Sequence, residues 1–309
     1  LTRLRRELPH KGGARKGSAL PYMTYPQAHS VRPPYSACLS FLPRPAKSRP
    51  CNGGRSCIIM EAGIRDQWRR RHALNQNICY IVGAMSLTPA LRPYPVQGDY
   101  VIAADRGFDS LIAYGVNPDL AVGDFDSLGH RPSHPNVIQL PAEKDDTDMV
   151  YAIRKGLELG YRRFILLGGV GGRLEHTLGN LQLLDWLASQ GAQGFLAGEK
   201  TAATCLRSGM SVTFPPSMAG YLSVFCNSGT AEGVTLAGLK YPLEDYTLAG
   251  SFPLGVSNQF LGEAATVSVE EGSLLLIWED RGDFYANLPR LWARTERTST
   301  ERNMEGLSL

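Results

Sequence analysis

From Ile78 onward the apolar positions follow two alternating periods. Ile78-Cys-Tyr-Ile-Val82, Tyr100-Val-Ile-Ala-Ala104, Leu120-Ala-Val122, Val137-Ile-Gln-Leu140 and Phe164-Ile-Leu-Leu167 are short apolar runs closed by Gly or Asp, the pattern of buried strands. Phe195-Leu-Ala197 begins another. Between them lie stretches with helical spacing. Phe108–Tyr114 is a short helix closed by Gly115. In 147–159, Val150, Ile153, Leu157 and Tyr161 keep one face. In 175–189, Leu178, Leu181, Leu184 and Leu187 form one stripe. Strands alternating with helices predict a mostly parallel sheet with helices on both faces, an α/β domain over 77–200. Such sheets bind ligands at the carboxyl ends of their strands, where Asp105, Asp124 and the loop starting at Gly168 fall. Beyond residue 200 only short strands with turn residues between them remain. This predicts a smaller all-β sandwich domain over 201–290, followed by a polar, frayed tail over 291–309.

The first 76 residues have neither period. They hold 15 Lys/Arg against 3 Asp/Glu, a net +12, whereas residues 77–309 sum to −9, so the chain's overall +3 conceals a basic extension on an acidic body. Prolines at 9, 21, 26, 33, 34, 43, 45 and 50 break any helix, and the extension is expected to be disordered. It is read as lying upstream of the true start, with Met60 as initiator; an Arg-rich transit peptide is the alternative. An acidic body argues against general nucleic-acid binding. No apolar run approaches the roughly 20 residues of a membrane helix. The six cysteines form no Cys-x-x-Cys pair, which excludes a zinc ribbon and points to a reducing, cytoplasmic setting.

Three clusters carry chemistry. Gly-Asp-Phe-Asp-Ser at 123–127 places Asp124 and Asp126 two residues apart at a strand end, so both carboxylates are expected to point one way and to share a cation, in preference to forming a plain turn. Lys-Asp-Asp-Thr-Asp at 144–148 crowds Asp145, Asp146 and Asp148 at a helix start. Asp145 and Asp148 have capping spacing, but three carboxylates exceed what capping needs, so Asp145 and Asp148 are expected to face the metal. Gly-Gly-Val-Gly-Gly-Arg at 168–173 joins a strand to a helix with four glycines, more than a tight turn requires. The backbone there can approach phosphate, and Arg173 is a natural clamp. His176 and Asn180, one turn apart, can face the same pocket. Oxygen ligands beside a phosphate cradle suit Mg²⁺ bound to a polyphosphate.

Read together, these motifs resemble the thiamine pyrophosphokinase family. The resemblance runs from about residue 78 to 280. It rests on Ala103-Ala-Asp105 with Asn117-Pro-Asp119, on the clusters at 123–127 and 144–148, on Gly-Gly-Arg-Leu-Glu-His-Thr-Leu-Gly-Asn at 171–180, and on Gly238-Leu-Lys-Tyr-Pro-Leu243 with Val256-Ser-Asn258. It implies Mg²⁺-dependent transfer of pyrophosphate from ATP to the hydroxyl of thiamine, leaving AMP. It also implies a homodimer with thiamine near the interface. Asp124, Asp126, Asp145 and Asp148 would hold the metal. Lys144, Thr147, Gly171, Gly172, Arg173, Thr177 and Asn180 would bind ATP. Glu175, Ser257 and Asn258 would contact thiamine. Asp148 or Asp105 would take the hydroxyl proton. Asp126→Asn is expected to abolish turnover with near-normal thermal unfolding. Two positions depart from the family pattern: Arg106 replaces a glycine, and Glu175 replaces an aspartate. The alternatives are a kinase acting on another heterocyclic alcohol, or a nucleotide sensor without turnover.

Overall fold

The computed structural model describes residues 77–292 and 294–295. The basic extension, the proposed start at Met60 and most of the C-terminal tail lie outside these residues. Fifteen strands and four α-helices follow in order: β1 (Ile78–Val82), β2 (Tyr100–Ala104), α1 (Gly107–Ala113), β3 (Leu120–Gly123), β4 (Val137–Gln139), α2 (Asp148–Glu158), β5 (Arg163–Leu167), α3 (Leu174–Ser189), β6 (Gln193–Gly198), β7 (Thr201–Arg207), β8 (Met210–Phe214), β9 (Tyr221–Cys226), β10 (Thr230–Ala237), β11 (Leu243–Ala249), β12 (Gly255–Gln259), β13 (Ala265–Val269), β14 (Ser273–Glu279), α4 (Phe284–Leu291) and β15 (Arg294–Thr295). Among these residues no helix is long and apolar enough to cross a membrane.

The first six strands form a parallel array in the order β6-β5-β1-β2-β3-β4. From β1 the chain winds outward through β2, β3 and β4, then returns to lay β5 on the other side of β1. The winding therefore reverses between β1 and β5. The crevice beyond their carboxyl ends is the topological switch point, the place where such sheets take ligands. Alternation in β1 serves two cores. Tyr80 and Val82 pack toward Phe108 and Leu111 of α1 and toward the second sheet. Cys79 and Ile81 pack toward Ile153 of α2 and Leu184 and Leu187 of α3. Because both faces are covered, these strands read as unbroken apolar runs.

The all-β half follows as expected, but the two halves share a sheet. β6 turns at Glu199-Lys200 into antiparallel β7, and β14, β9 and β12 continue outward to make ten strands. The boundary near residue 200 is thus a hairpin within one sheet. The remaining strands form a five-stranded sheet, β11-β10-β13-β8-β15, which closes the sandwich against β7, β9 and β14. Two expectations change. Leu178 is exposed, so the buried stripe of α3 begins only near Leu181 and is centred on Leu184 and Leu187. The span expected to hold only strands ends in a helix, α4, whose Phe284, Leu288 and Leu291 are buried at helical spacing.

Asp280, buried at the end of β14, sets up a pH-dependent joint with α4. Burial, and then the neighbouring Asp283 carboxyl, raise its pKa from 3.8 to about 6. Asp283 itself accepts a hydrogen bond from Asn287 Nδ2 at 2.8 Å. A carboxyl whose folded pKa is raised contributes stability below its unfolded pKa and loses it as pH rises through the folded value. Asp280→Asn is therefore expected to raise Tm relative to the parent at pH 7.5 and to lose most of that advantage at pH 4.5. Thermal melts at the two pH values check this; an advantage that does not change with pH would refute it.

Candidate active site

Four loops meet at the switch point around a cavity of about 370 Å³. Gly83, Ala84 and Met85 follow β1; Asp105 follows β2; Ser127 ends the turn after β3; and the glycine loop follows β5. Asp105 has φ +50°, and its backbone N–H donates to Val122 O at 2.8 Å, which holds the residue at the mouth of the sheet. Ser127 Oγ donates to Asp105 Oδ2. The other oxygen, Asp105 Oδ1, is buried without a hydrogen-bond partner.

Asp124 and Asp126 do not point the same way. β3 ends at Gly123, and Phe125 takes φ +61° with its ring buried. Strand alternation no longer applies beyond that point, and the segment closes as a turn in which the Asp126 N–H donates to Asp124 Oδ1 at 3.2 Å. Asp126 is left exposed, outside the cavity lining. Asp124, also outside the lining, is less exposed and accepts from Lys144 Nζ at 2.7 Å.

Lys144 joins two segments. Its Nζ also lies 2.9 Å from Asp148 Oδ1 at the start of α2. The contact is a close ion pair, so this buried oxygen has Lys144 as its partner. Asp124, Lys144 and Asp148 are 22%, 16% and 19% exposed, enough shielding for their charges to matter. The Lys144 hydrogen bond holds Asp124 below its usual carboxylate pKa, against the effect of burial. Burial raises Asp148, with a further push from Asp124 and Asp105, and the same lysine only partly offsets it. Burial pulls Lys144 down, but its two carboxylate partners leave it above its ordinary value.

The cap of α2 is Thr147, whose Oγ1 accepts from the Val150 N–H at 3.3 Å; Asp145 plays no capping part. Asp145 is exposed and outside the lining, and Asp146 pairs with Arg154. Among the described residues no three His, Cys, Asp or Glu side chains form a ready-made metal cage. Asp105 and Asp148 do both line the cavity, Asp105 with a buried carboxylate oxygen that has no hydrogen-bond partner and Asp148 with one neutralised only by Lys144. Such a donor pair fits a hard cation that takes its remaining ligands from phosphate.

The glycine loop is held from α3. The Gly171 N–H donates to Thr177 Oγ1 at 3.2 Å, and Asn180 Nδ2 donates to Gly169 O at 2.8 Å. Thr177 and Asn180 thus shape the cradle, and the Gly171 amide is already engaged. Gly172 and Arg173 line the cavity, with Arg173 at its lip beside His176 and 3.3 Å from Glu175. Ser257 and Asn258 are not brought to this cavity. They lie on β12, the edge strand of the large sheet. Ser257 is exposed with φ +60°, while the Asn258 amide is committed to Tyr241, accepting from its N–H at 2.9 Å and donating to its O at 2.7 Å. Met85 was not foreseen from sequence, although Gly83 closing the first buried strand marked the loop that carries it.

The thiamin pyrophosphokinase catalytic-domain model matches residues 94–196, and the thiamin pyrophosphokinase vitamin B1 binding-domain model matches residues 210–274. The crystal structure of thiamin pyrophosphokinase from Geobacillus thermodenitrificans is 32% identical, covers 66% of this chain and 97% of its own, and superposes with a TM-score of 0.57. That of thiamine pyrophosphokinase from Bacillus subtilis is 28% identical, covering 66% and 100%, with a TM-score of 0.60. A thiamin pyrophosphokinase family protein from Enterococcus faecalis is 30% identical, covering 66% and 99%, with a TM-score of 0.57.

Proposed function

The chain belongs to the thiamine pyrophosphokinase family, and from that membership we propose that it transfers the terminal diphosphoryl group of ATP to the hydroxyl of thiamine, giving thiamine diphosphate and AMP. One observation carries the site assignment. At the switch point, Asp105, Asp148 and a glycine-rich loop line one cavity, and Lys144 stands 2.9 Å from Asp148. A divalent ion, Mg²⁺ in this reading, would be held by Asp105 and Asp148 with Asp124 beside them, and when bound it supplies neutralisation of phosphate charge.

The protein's own groups do the rest. Arg173 at the lip binds phosphoryl oxygens, and the positive start of α3 favours them. Thr177 and Asn180 keep the loop in shape. The thiamine hydroxyl oxygen attacks the β-phosphorus, the bond to the α-phosphate oxygen breaks, and AMP departs. The hydroxyl proton passes to Asp105 or Asp148, both of which line the cavity. Incubation with ATP, Mg²⁺ and thiamine should yield thiamine diphosphate and AMP in equal amounts. Formation of ADP, or no product, would overturn the reading.

The thiamine half calls for a second copy. Ser257 sits on an outer strand away from the cavity, flanked by exposed Phe252, Leu254, Val256 and Leu261. An open edge strand with exposed apolar side chains is a natural pairing surface. In this reading the protein is a homodimer in the cytoplasm, with one copy's β12 region completing the other's site. Light scattering should give the mass of two copies, and Leu254→Asp combined with Val256→Lys should give one copy and raise KM for thiamine. A monomeric parent protein would sink the arrangement.

A further inference from the structure

The Lys144 ammonium stands between Asp124 and Asp148, 2.7 Å from one carboxylate and 2.9 Å from the other, with its side chain only 16% exposed. Two carboxylates this close repel unless a cation separates them. Lys144 supplies that cation from within the chain. The lysine lies in the loop before α2, outside any regular element, on a flexible four-carbon stem. Asp105 Oδ1, buried without a hydrogen-bond partner, lines the same cavity as Asp148 and marks the place where a stronger cation would be welcome.

We propose that Lys144 is an internal stand-in for the divalent ion: it bars a bare metal from the carboxylates of the free enzyme and yields only when the metal arrives with the nucleotide. The inference rests on the metal–nucleotide reading of this cavity. A lone divalent ion must displace the ammonium into water and lose its two ion pairs. A metal–nucleotide complex brings phosphate oxygens, which give the displaced ammonium a new anionic partner. Exchange of one lysine between carboxylate and phosphate thereby couples the two ligands and makes loading ordered.

The test is titration of the full chain with Mn²⁺ alone, in the absence of nucleotide, followed by the spin-resonance signal of free Mn²⁺. Lys144→Gln, which removes the charge and keeps most of the length, should bind Mn²⁺ at least about tenfold more tightly than the parent protein. Lys144→Arg keeps the charge and should stay as weak as the parent. Equal affinity of parent and Lys144→Gln overturns the proposal, as does Lys144→Arg binding as tightly as Lys144→Gln. If Lys144→Gln gives no cooperative thermal transition, the parent alone decides: half-saturation below about 1 mM Mn²⁺ without nucleotide overturns the idea, and weaker binding upholds it. Loss of the underlying reading shows separately, as failure of the parent protein to make thiamine diphosphate and AMP.

Discussion

Asp148→Asn will lower kcat/KM for thiamine diphosphate formation by about 10²–10³-fold while the protein remains folded. The substitution keeps shape and removes one charge from the cavity. That charge belongs to a largely buried carboxylate paired with Lys144 and near Asp105 and Asp124. Nothing exposed can replace it. Stability should not fall, because burial already disfavours the ionised form of Asp148, and Lys144 keeps its hydrogen bond to Asp124. Tm is expected to be unchanged or raised, as is usual when a strained site group is neutralised. Asp126 makes a useful contrast. It is exposed and held only through its backbone, so the abolition of turnover expected there from sequence passes to Asp148, and Asp126→Asn should cost about tenfold or less. A loss under threefold at Asp148, or a larger loss at Asp126 than at Asp148, would undo this ranking. Product assay and thermal melts on the same preparations decide it.

The parallel half was legible because its physics is local. β1, β2 and β5 are buried on both faces, so their apolar runs stand out against polar loops, and the glycines and aspartates that end them mark the ligand side of the sheet. The glycine loop and Arg173 could be placed for the same reason. What escaped depends on contacts between distant segments. The shared ten-stranded sheet requires β14 to pair with β7, about seventy residues earlier, and no periodicity reports that. The divergence of Asp124 from Asp126 depends on Phe125 adopting a left-handed backbone to bury its ring, which strand alternation does not anticipate. Half of the Lys144 bridge was readable, since Lys144 and Asp148 are four residues apart, but Asp124 joins them only through the fold. Two misses had signals in plain view. Thr147 stands where helix caps favour threonine, three residues before Val150. Phe284, Leu288 and Leu291 keep helical spacing despite Pro289.

Gly168→Ala should be the most damaging single-methyl substitution in the site, for reasons of backbone alone. Gly168 has φ +62°, a conformation that costs an L residue with a side chain about 1–2 kcal/mol. The added carbon would lie 2.7 Å from both Gly83 O and Met85 O. Neither oxygen can swing away like a side-chain end, because the Gly83 N–H donates to Leu167 O at 2.8 Å and the Met85 N–H donates to Gly168 O at 3.1 Å. These bonds stitch the end of β1 to the end of β5 across the switch point, so relieving the clash means parting the two strands where the cavity begins. The expected cost is about 2–4 kcal/mol, a fall in Tm of roughly 5–10 °C. Turnover should drop at least about tenfold even well below Tm, since the cradle and Met85 would shift relative to Asp105 and Asp148. Gly179, in the middle of α3, is the control. A carbon there meets nothing within 4 Å, and alanine is the better helix former, so Gly179→Ala should add up to about 1 kcal/mol of stability and hold or raise Tm. Equal melting of the two variants would show that the β1–β5 junction tolerates movement and that the loop is not positioned by it.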